Sequence, residues 1–322
     1  MDETQRKLAK LFMPHAMGKM EAIQANKTRF SHYTSAYAAT QIIKHEEVWL
    51  RNAQAMNDFS EVRHGEICLA QSWNDPNVGG RLRNLLNSLD DDLSKRFQEV
   101  FDSHSNHRKF QSFLLSVSEH DDLSSGENYH GRLSMWRAYG GDTNVALVFN
   151  NTPFMSEDGG LQAVSSPVLY TDPNGFKEPF VELIQGLENE MPLLESLGAE
   201  EVFKYLYWAF HMASLSVKHP GFSEEKEWRV VYSPSLYGRS PLMKEEVENI
   251  AGVPQKIIKL PLKPNVQSGF EGFAISEVLE EIIIGPTETP GLIKEALALL
   301  LEERGVPNAS DRIRISDIPL RR

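Results

Sequence analysis

The sequence predicts an α+β fold with helical insertions. Strand-like and helix-like segments are intermixed without the regular strand–helix–strand alternation of a parallel α/β sheet. A hydrophobic content of 41% with 24% charged residues in 322 residues is that of a globular protein with a sizeable core. No internal repeat, low-complexity tract or Pro/Gly-rich linker divides the chain, so residues 1–322 read as one domain.

Residues 1–26 read as an N-terminal helical extension, amphipathic from residue 3 and interrupted around Pro14. Thr28–Thr34 reads as a strand, Ala36–Lys44 as a helix with Ala39, Ile42 and Ile43 inward, and Val48–Leu50 as a returning strand. Asn57 and Asp58 open a helix with capping-box spacing to Glu61; it turns Val62, Ile67, Cys68 and Leu69 inward. Residues 79–105 form a helical insertion with Leu82, Leu85, Leu86, Leu89 and Leu93 in register. Phe110–Ser118 alternates as a strand, and a polar loop at 119–131 leads to the turn SMWRAYGG, tightened at Gly140-Gly141-Asp142. Val145–Phe149 and residues 161–170 follow as strands. Residues 176–217 form a second helical insertion, broken near Pro192. Strands at 228–233, 256–260, 281–284 and 312–315 complete the core, with a polar connection after the first and a helix at Gly291–Arg304 before the last.

A net charge of −12 argues against a generic nucleic-acid or anionic-membrane binder. With Cys68 as the only cysteine, an intrachain disulfide and a Cys-based zinc site are excluded. The N-terminal segment lacks the apolar core of a signal peptide and no run reaches membrane-spanning length, so a cytoplasmic protein without membrane partners is expected. Phosphate-loop, dinucleotide-fold, zinc-protease and nucleophile-elbow motifs are missing. His104 and His107 lie in a polar, loop-like stretch with no acidic third ligand nearby, so metal catalysis is not expected.

The segment FSEEKEWRVVY carries the strongest chemical signal. An acidic cluster enters a strand, which would set Glu225 and Glu227 on one face with Arg229. Its structural alternative is a solvated acidic turn ion-paired to Lys226 or Arg229. His32 and Thr34 share a strand face, where the imidazole either meets a polar ligand or is a hydrogen-bonded histidine at a strand end. Ser116 and Ser118 set two hydroxyls on one face of an apolar strand, aimed at a ligand or capping a turn. Trp136 and Tyr139 either stack on a planar ring or anchor a core.

The order HYTS, NDFSE, SFLLSVSE, SMWRAYG, FSEEKEWRVV, EIIIGP resembles the bacterial family catalogued as domain of unknown function 2971, over roughly residues 28–318. Phe59 stands where that family commonly has proline. The His-x-Thr, Ser-x-Ser and Glu-x-Glu strands are also distantly similar to the ADP-ribosyltransferase superfamily, which splits NAD in a cleft between two small sheets. That resemblance implies a split, mixed or antiparallel β core, NAD as a substrate and no metal. His32, with Tyr33 and Thr34, would hold the adenosine-side ribose, and Ser116 or Ser118 the nicotinamide-side ribose. Trp136 or Tyr139 would stack on nicotinamide, Glu227 would bond the ribose 2′-hydroxyl, Glu225 would assist the acceptor, and Arg229 would line the site. Arg29, three residues before His32, mixes the signatures of two branches of that superfamily. The acceptor could be protein, nucleic acid or a small molecule, and the role a toxin or phage-defence effector. The competing expectations are a non-catalytic ligand-binding module, or a nuclease-like hydrolase using Glu225, Glu227 and Asp58 with Mg²⁺.

Overall fold

A computed structural model describes residues 3–55, 59–121, 126–139, 143–155, 159–264 and 273–319. Its strands are β1 (Phe30–Ser35), β2 (Glu47–Asn52), β3 (Phe113–Glu119), β4 (Asn144–Phe149), β5 (Ala163–Pro167), β6 (Leu169–Tyr170), β7 (Val217–Lys218), β8 (Glu227–Tyr232), β9 (Lys244–Ile250), β10 (Val253–Pro261), β11 (Leu279–Ile284) and β12 (Ile313–Ile315). Among the described residues, ten of them form one mixed sheet whose main path runs β12-β11-β4-β1-β3-β2-β10-β9, with β8 and β5 branching from β3. β11 and β12 pair in parallel, and β6 and β7 form a separate parallel pair. The fold is α+β.

One continuous sheet stands where a split core was expected, and it is interrupted by a fork. β3 pairs along its length with β8, from Phe113 opposite Tyr232 to Ser118 opposite Glu227. On its other side it holds β1 only at Ser118 and Glu119, and β2 only at Leu114 and Phe113. Between those contacts β1 and β2 diverge, and Leu115, Ser116 and Val117 have no partner on either. Strand alternation gives the sheet two faces. Phe30, Leu50, Phe113, Leu115, Val117, Leu147, Trp228 and Val230 point into the largest apolar core, which the helices Ala36–His45 and Pro290–Glu303 cover. The opposite face carries two smaller clusters: Tyr33, Met135, Trp136, Ala146, Val148 and Ile283 on one side of the fork, and Leu114, Val231, Met212 and Leu215 on the other.

The helices follow local chemistry closely. The N-terminal extension breaks at Met13 into Glu3–Phe12 and Pro14–Asn26, with the proline opening the second helix, where its missing N–H costs nothing. Pro192 does the same for Met191–Leu197, so the second insertion breaks at Glu190 and Gly198 and not at the proline. The leucine-rich region divides into Gly79–Leu89 and Leu93–Ser103, which pack with Lys177–Asn189 and Ala199–Ser216 around a second core. Ile67, expected inward, is 39% exposed, whereas its neighbours Cys68 and Leu69 are buried. The His104/His107 stretch is a short helix, Ser105–Phe110, where a loop was expected. The polar connection after β8 contains the edge strand β9. Asn57, Asp58 and the Gly140-Gly141-Asp142 turn lie outside the described residues.

Two buried imidazoles make stability depend on pH. His211, packed at 3.1 Å from the Ser233 hydroxyl, is lowered to about 3 by burial and then by Arg108. His120 is lowered to about 4 by burial and then by Arg29. Both stay neutral in the fold at pH values where free histidine, with a pKa of about 6.5, takes up a proton. The unfolded chain therefore binds more protons, and stability falls with pH below that value, by up to about 1.4 kcal/mol per pH unit per histidine. Urea midpoints measured between pH 7.5 and 4.5 should fall accordingly, and His211→Gln should flatten the slope; an unchanged slope in that variant rejects the account.

Candidate functional site

The fork opens on the face opposite the main core as a cleft of about 160 Å³. Its lining includes His32, Tyr33, Trp49, Arg51, Ser116, Met135, Tyr139, Lys218, Glu225 and Glu227, drawn from five separate stretches of chain. His32 shares the Phe30 face of β1, so its imidazole reaches the fork from the main-core side, with Nδ1 3.0 Å from the Ser116 carbonyl oxygen in the plane of the sheet. That oxygen can only accept, so Nδ1 carries the proton, and burial lowers the ring's pKa toward the neutral form. The imidazole thus takes the place of the strand partner that the fork removes. His32 also borders a second cavity of about 270 Å³ on the main-core side, walled by Met13, Met17, Met20 and other apolar groups.

Ser116 connects the imidazole strand to the acidic segment: its hydroxyl donates to Glu227 Oε1 at 2.5 Å. Glu227 is 5% exposed and sits in a buried ionic network. Arg229 grips both of its oxygens, Nε to Oε1 at 2.9 Å and Nη2 to Oε2 at 3.1 Å. The Lys218 ammonium lies 3.3 Å from Oε2 and 2.6 Å from Glu225 Oε2. Burial alone would raise the Glu227 pKa, but Arg229, Lys218 and the Ser116 hydroxyl outweigh it and hold the carboxyl at about 2. Its four acceptor positions are all occupied by these donors.

The expected shared strand face for the two glutamates is corrected. Glu225 ends a 3₁₀ turn, Pro220–Glu225, and only Glu227 lies on β8. Lys226, at φ 44°, turns the chain between them, so the two carboxylates meet at Lys218, itself 1% exposed. Glu225 pairs with Lys218, a cation outside the two expected, Lys226 and Arg229.

Several other expected site residues prove to be supports. Ser118 is fully buried; its hydroxyl donates to the Glu225 carbonyl and accepts from Arg132, which fixes the 3₁₀ turn. Arg229 lies behind Glu227 and also donates to the Leu215 carbonyl, outside the cleft lining. Thr34 is half-buried opposite Val145 and does not reach the cleft. Trp136 is 4% exposed, edge-on to Tyr33 at 4.7 Å, with its indole N–H donating to the His130 carbonyl; it cannot stack on a ligand. Tyr33 reaches the wall, but its hydroxyl accepts from the Arg132 backbone N–H. Tyr139, half-buried, packs beside Met135 and Trp136 and lines the cleft.

The matched segment of the chain holds the acidic half of this cleft. Residues 135–230 match the family described as a protein of unknown function (DUF2971). The DUF2971 segment contains Met135, Tyr139, Lys218, Glu225, Glu227 and Arg229, while His32, Trp49, Arg51 and Ser116 precede it. No curated protein and no solved structure matches the chain. Among the described residues, no helix is long and apolar enough to cross a membrane, and no group of three or more His, Cys, Asp or Glu is placed to hold a metal ion.

Trp49, Arg51 and Lys218 were not singled out from the sequence. The run Val48-Trp49-Leu50-Arg51 alternates cleanly, with Val48 and Leu50 in the core, so it could have placed Trp49 and Arg51 together on the cleft face. Lys218 offered only the weaker hint of a lone cation after an apolar helix.

Proposed function

We propose that the cleft binds NAD and cleaves its nicotinamide–ribose bond, passing ADP-ribose to an acceptor or to water. One observation supports this above the others: His32, Ser116 and Glu227, from strands far apart in sequence, form one connected chain of contacts at an opening in the sheet. Bond cleavage develops positive charge on the ribose; Glu227, ionised, immobile and paired with Arg229 and Lys218, would serve there by fixing the ribose 2′-hydroxyl. The donor arrangement also suggests how sugar would bind. A ribose hydroxyl can replace the Ser116 hydroxyl on Glu227 Oε1, exchanging one O–H donor for another without stranding an acceptor. Tyr139 would cover the nicotinamide ring. A volume of about 160 Å³ suits the reacting end of the dinucleotide, with the adenosine end running across the rim.

The pairing of Glu225 with Lys218, and of Glu227 with Lys218 and Arg229, weighs against the nuclease-like reading, because cations of the protein already occupy the carboxylates a Mg²⁺ ion would use. Protein incubated with NAD labelled in the nicotinamide ring should release labelled nicotinamide, and EDTA should leave the rate unchanged. Absence of both nicotinamide release and NAD binding at millimolar concentration would defeat the proposal. Binding without release would leave a recognition module.

A further inference from the structure

We infer that Arg51 is the phosphate-binding group of the cleft, so that its ligand carries a phosphate or pyrophosphate at the β2 end. This rests on the NAD reading only for the name of the ligand; the charge argument stands by itself.

The arginines around the fork are otherwise neutralised. Arg29 pairs with Asp121 at 2.7 Å, Arg132 with Glu127 at 3.1 Å and Arg229 with Glu227 at 2.9 Å. Arg51, half-buried in the cleft wall, has no carboxylate partner among the described residues. Its Nη2 donates to the Ala55 carbonyl and the Gln255 side chain, and its buried Nε has no acceptor. Burial lowers its pKa, and no acidic group acts against that. Among the described residues, the cleft and the layer directly behind it therefore hold three cations, Arg51, Lys218 and Arg229, against two carboxylates, Glu225 and Glu227. In a chain of net charge −12 a local cationic excess at a concave site is notable, and a partly desolvated cation is stabilised by an anion supplied from outside.

Position decides which anion. Arg51 lies opposite Leu114 on β3, two residues from Ser116 and so about 7 Å along the strand from the Ser116–Glu227 contact. A phosphorylated ribose spans that interval, with its hydroxyls at Glu227 and its phosphate at the guanidinium. Trp49, on the same strand face, offers a ring beside the phosphate position. An acidic side chain or a carboxylate metabolite would satisfy Arg51 equally, but would leave the hydroxyl acceptor at Glu227 and the Trp49 wall unused.

The test uses inorganic pyrophosphate, NAD and nicotinamide riboside with the full-length protein. Pyrophosphate should raise the melting temperature of the wild type, Arg51→Lys should keep part of the shift, and Arg51→Met should lose it, corresponding to about tenfold to a hundredfold weaker binding. Wild-type protein should also bind NAD at least about tenfold more tightly than nicotinamide riboside, a comparison that needs no variant. No pyrophosphate shift in the wild type, or an equal shift in a folded Arg51→Met protein, overturns the assignment. If pyrophosphate binds through Arg51 but NAD is not cleaved, the phosphate site stands and the NAD reaction falls. If NAD is cleaved while NAD and the riboside bind equally, the reaction stands and the phosphate site falls.

Discussion

Replacing Glu227 with glutamine is expected to lower stability by about 3–5 kcal/mol as well as to stop nicotinamide release. The two effects have different origins. Glu227 is the shared counter-ion of Arg229 and Lys218, both within 2% of complete burial, and its removal leaves two buried cations facing Glu225 alone. Its carboxyl, held at about 2, contributes stability that is fully present above the ordinary carboxylate pKa and is lost as pH falls toward 2. The glutamine variant should therefore show a shallower acid limb in its stability profile, beside a lower urea midpoint at pH 7.

Loss of activity alone would not separate chemistry from folding, and Lys218 supplies the control. Lys218→Met removes the ammonium and retains the aliphatic stem; alone it should destabilise, because Glu225 then lacks its partner at 2.6 Å. Combined with Glu227→Gln it restores charge balance between Arg229 and Glu225. The double variant should therefore lose less stability than the sum of the two single variants, by about 1–3 kcal/mol. Were that double variant folded, NAD-binding and still releasing nicotinamide at the wild-type rate, Glu227 would be a structural ion and nothing more.

What could be read from the sequence divides along local and non-local lines. The strand–helix–strand unit around Ala36–His45 and the helical insertions were legible, because alternation and the spacing of Ala39, Ile42 and Ile43 are local signals. The fork was not. It depends on β3 holding β8 along its whole length while releasing β1 and β2 in its middle, a pairing choice between residues as far apart as Phe113 and Tyr232. β9 was missed because Lys244-Glu245-Glu246-Val247-Glu248 has no apolar face; it is an edge strand whose charges, with Lys259 reaching Glu246 and Glu248, keep that edge in water. At the site, the types and spacing of His32, Ser116 and Glu227 suggested a common location. The ion pair of Glu227 with Arg229 was one of the alternatives the sequence offered, whereas the part of Lys218 was invisible, because it comes from a different element.

Trp136 and Tyr139, equivalent candidates in the sequence, should behave in opposite ways when each is cut to alanine. Trp136→Ala should cost about 3–5 kcal/mol, the range for a buried aromatic. The indole is sealed on its other sides by backbone: a methyl group at Gly131 would lie 2.3 Å from the ring, and one at Gly285 would lie 2.9 Å away. Gly131 also has φ +72°, so Gly131→Ala should destabilise through both strain and overlap. The indole sets the position of Tyr33, and through its hydroxyl that of Arg132, which clamps the 3₁₀ turn bearing Glu225. Loss of Trp136 should thus damage the site only as far as it damages the fold. Tyr139→Ala should cost less, about 1–2 kcal/mol, since the ring is only half-buried where it packs on the Trp136 cluster and lines the cleft. Its effect should fall on ligand binding and on the exclusion of water, raising the Kd for NAD and the share of ADP-ribose that ends on water. A Trp136→Ala protein of undiminished stability, or a Tyr139→Ala protein unchanged in NAD affinity, would assign the two rings the other way round.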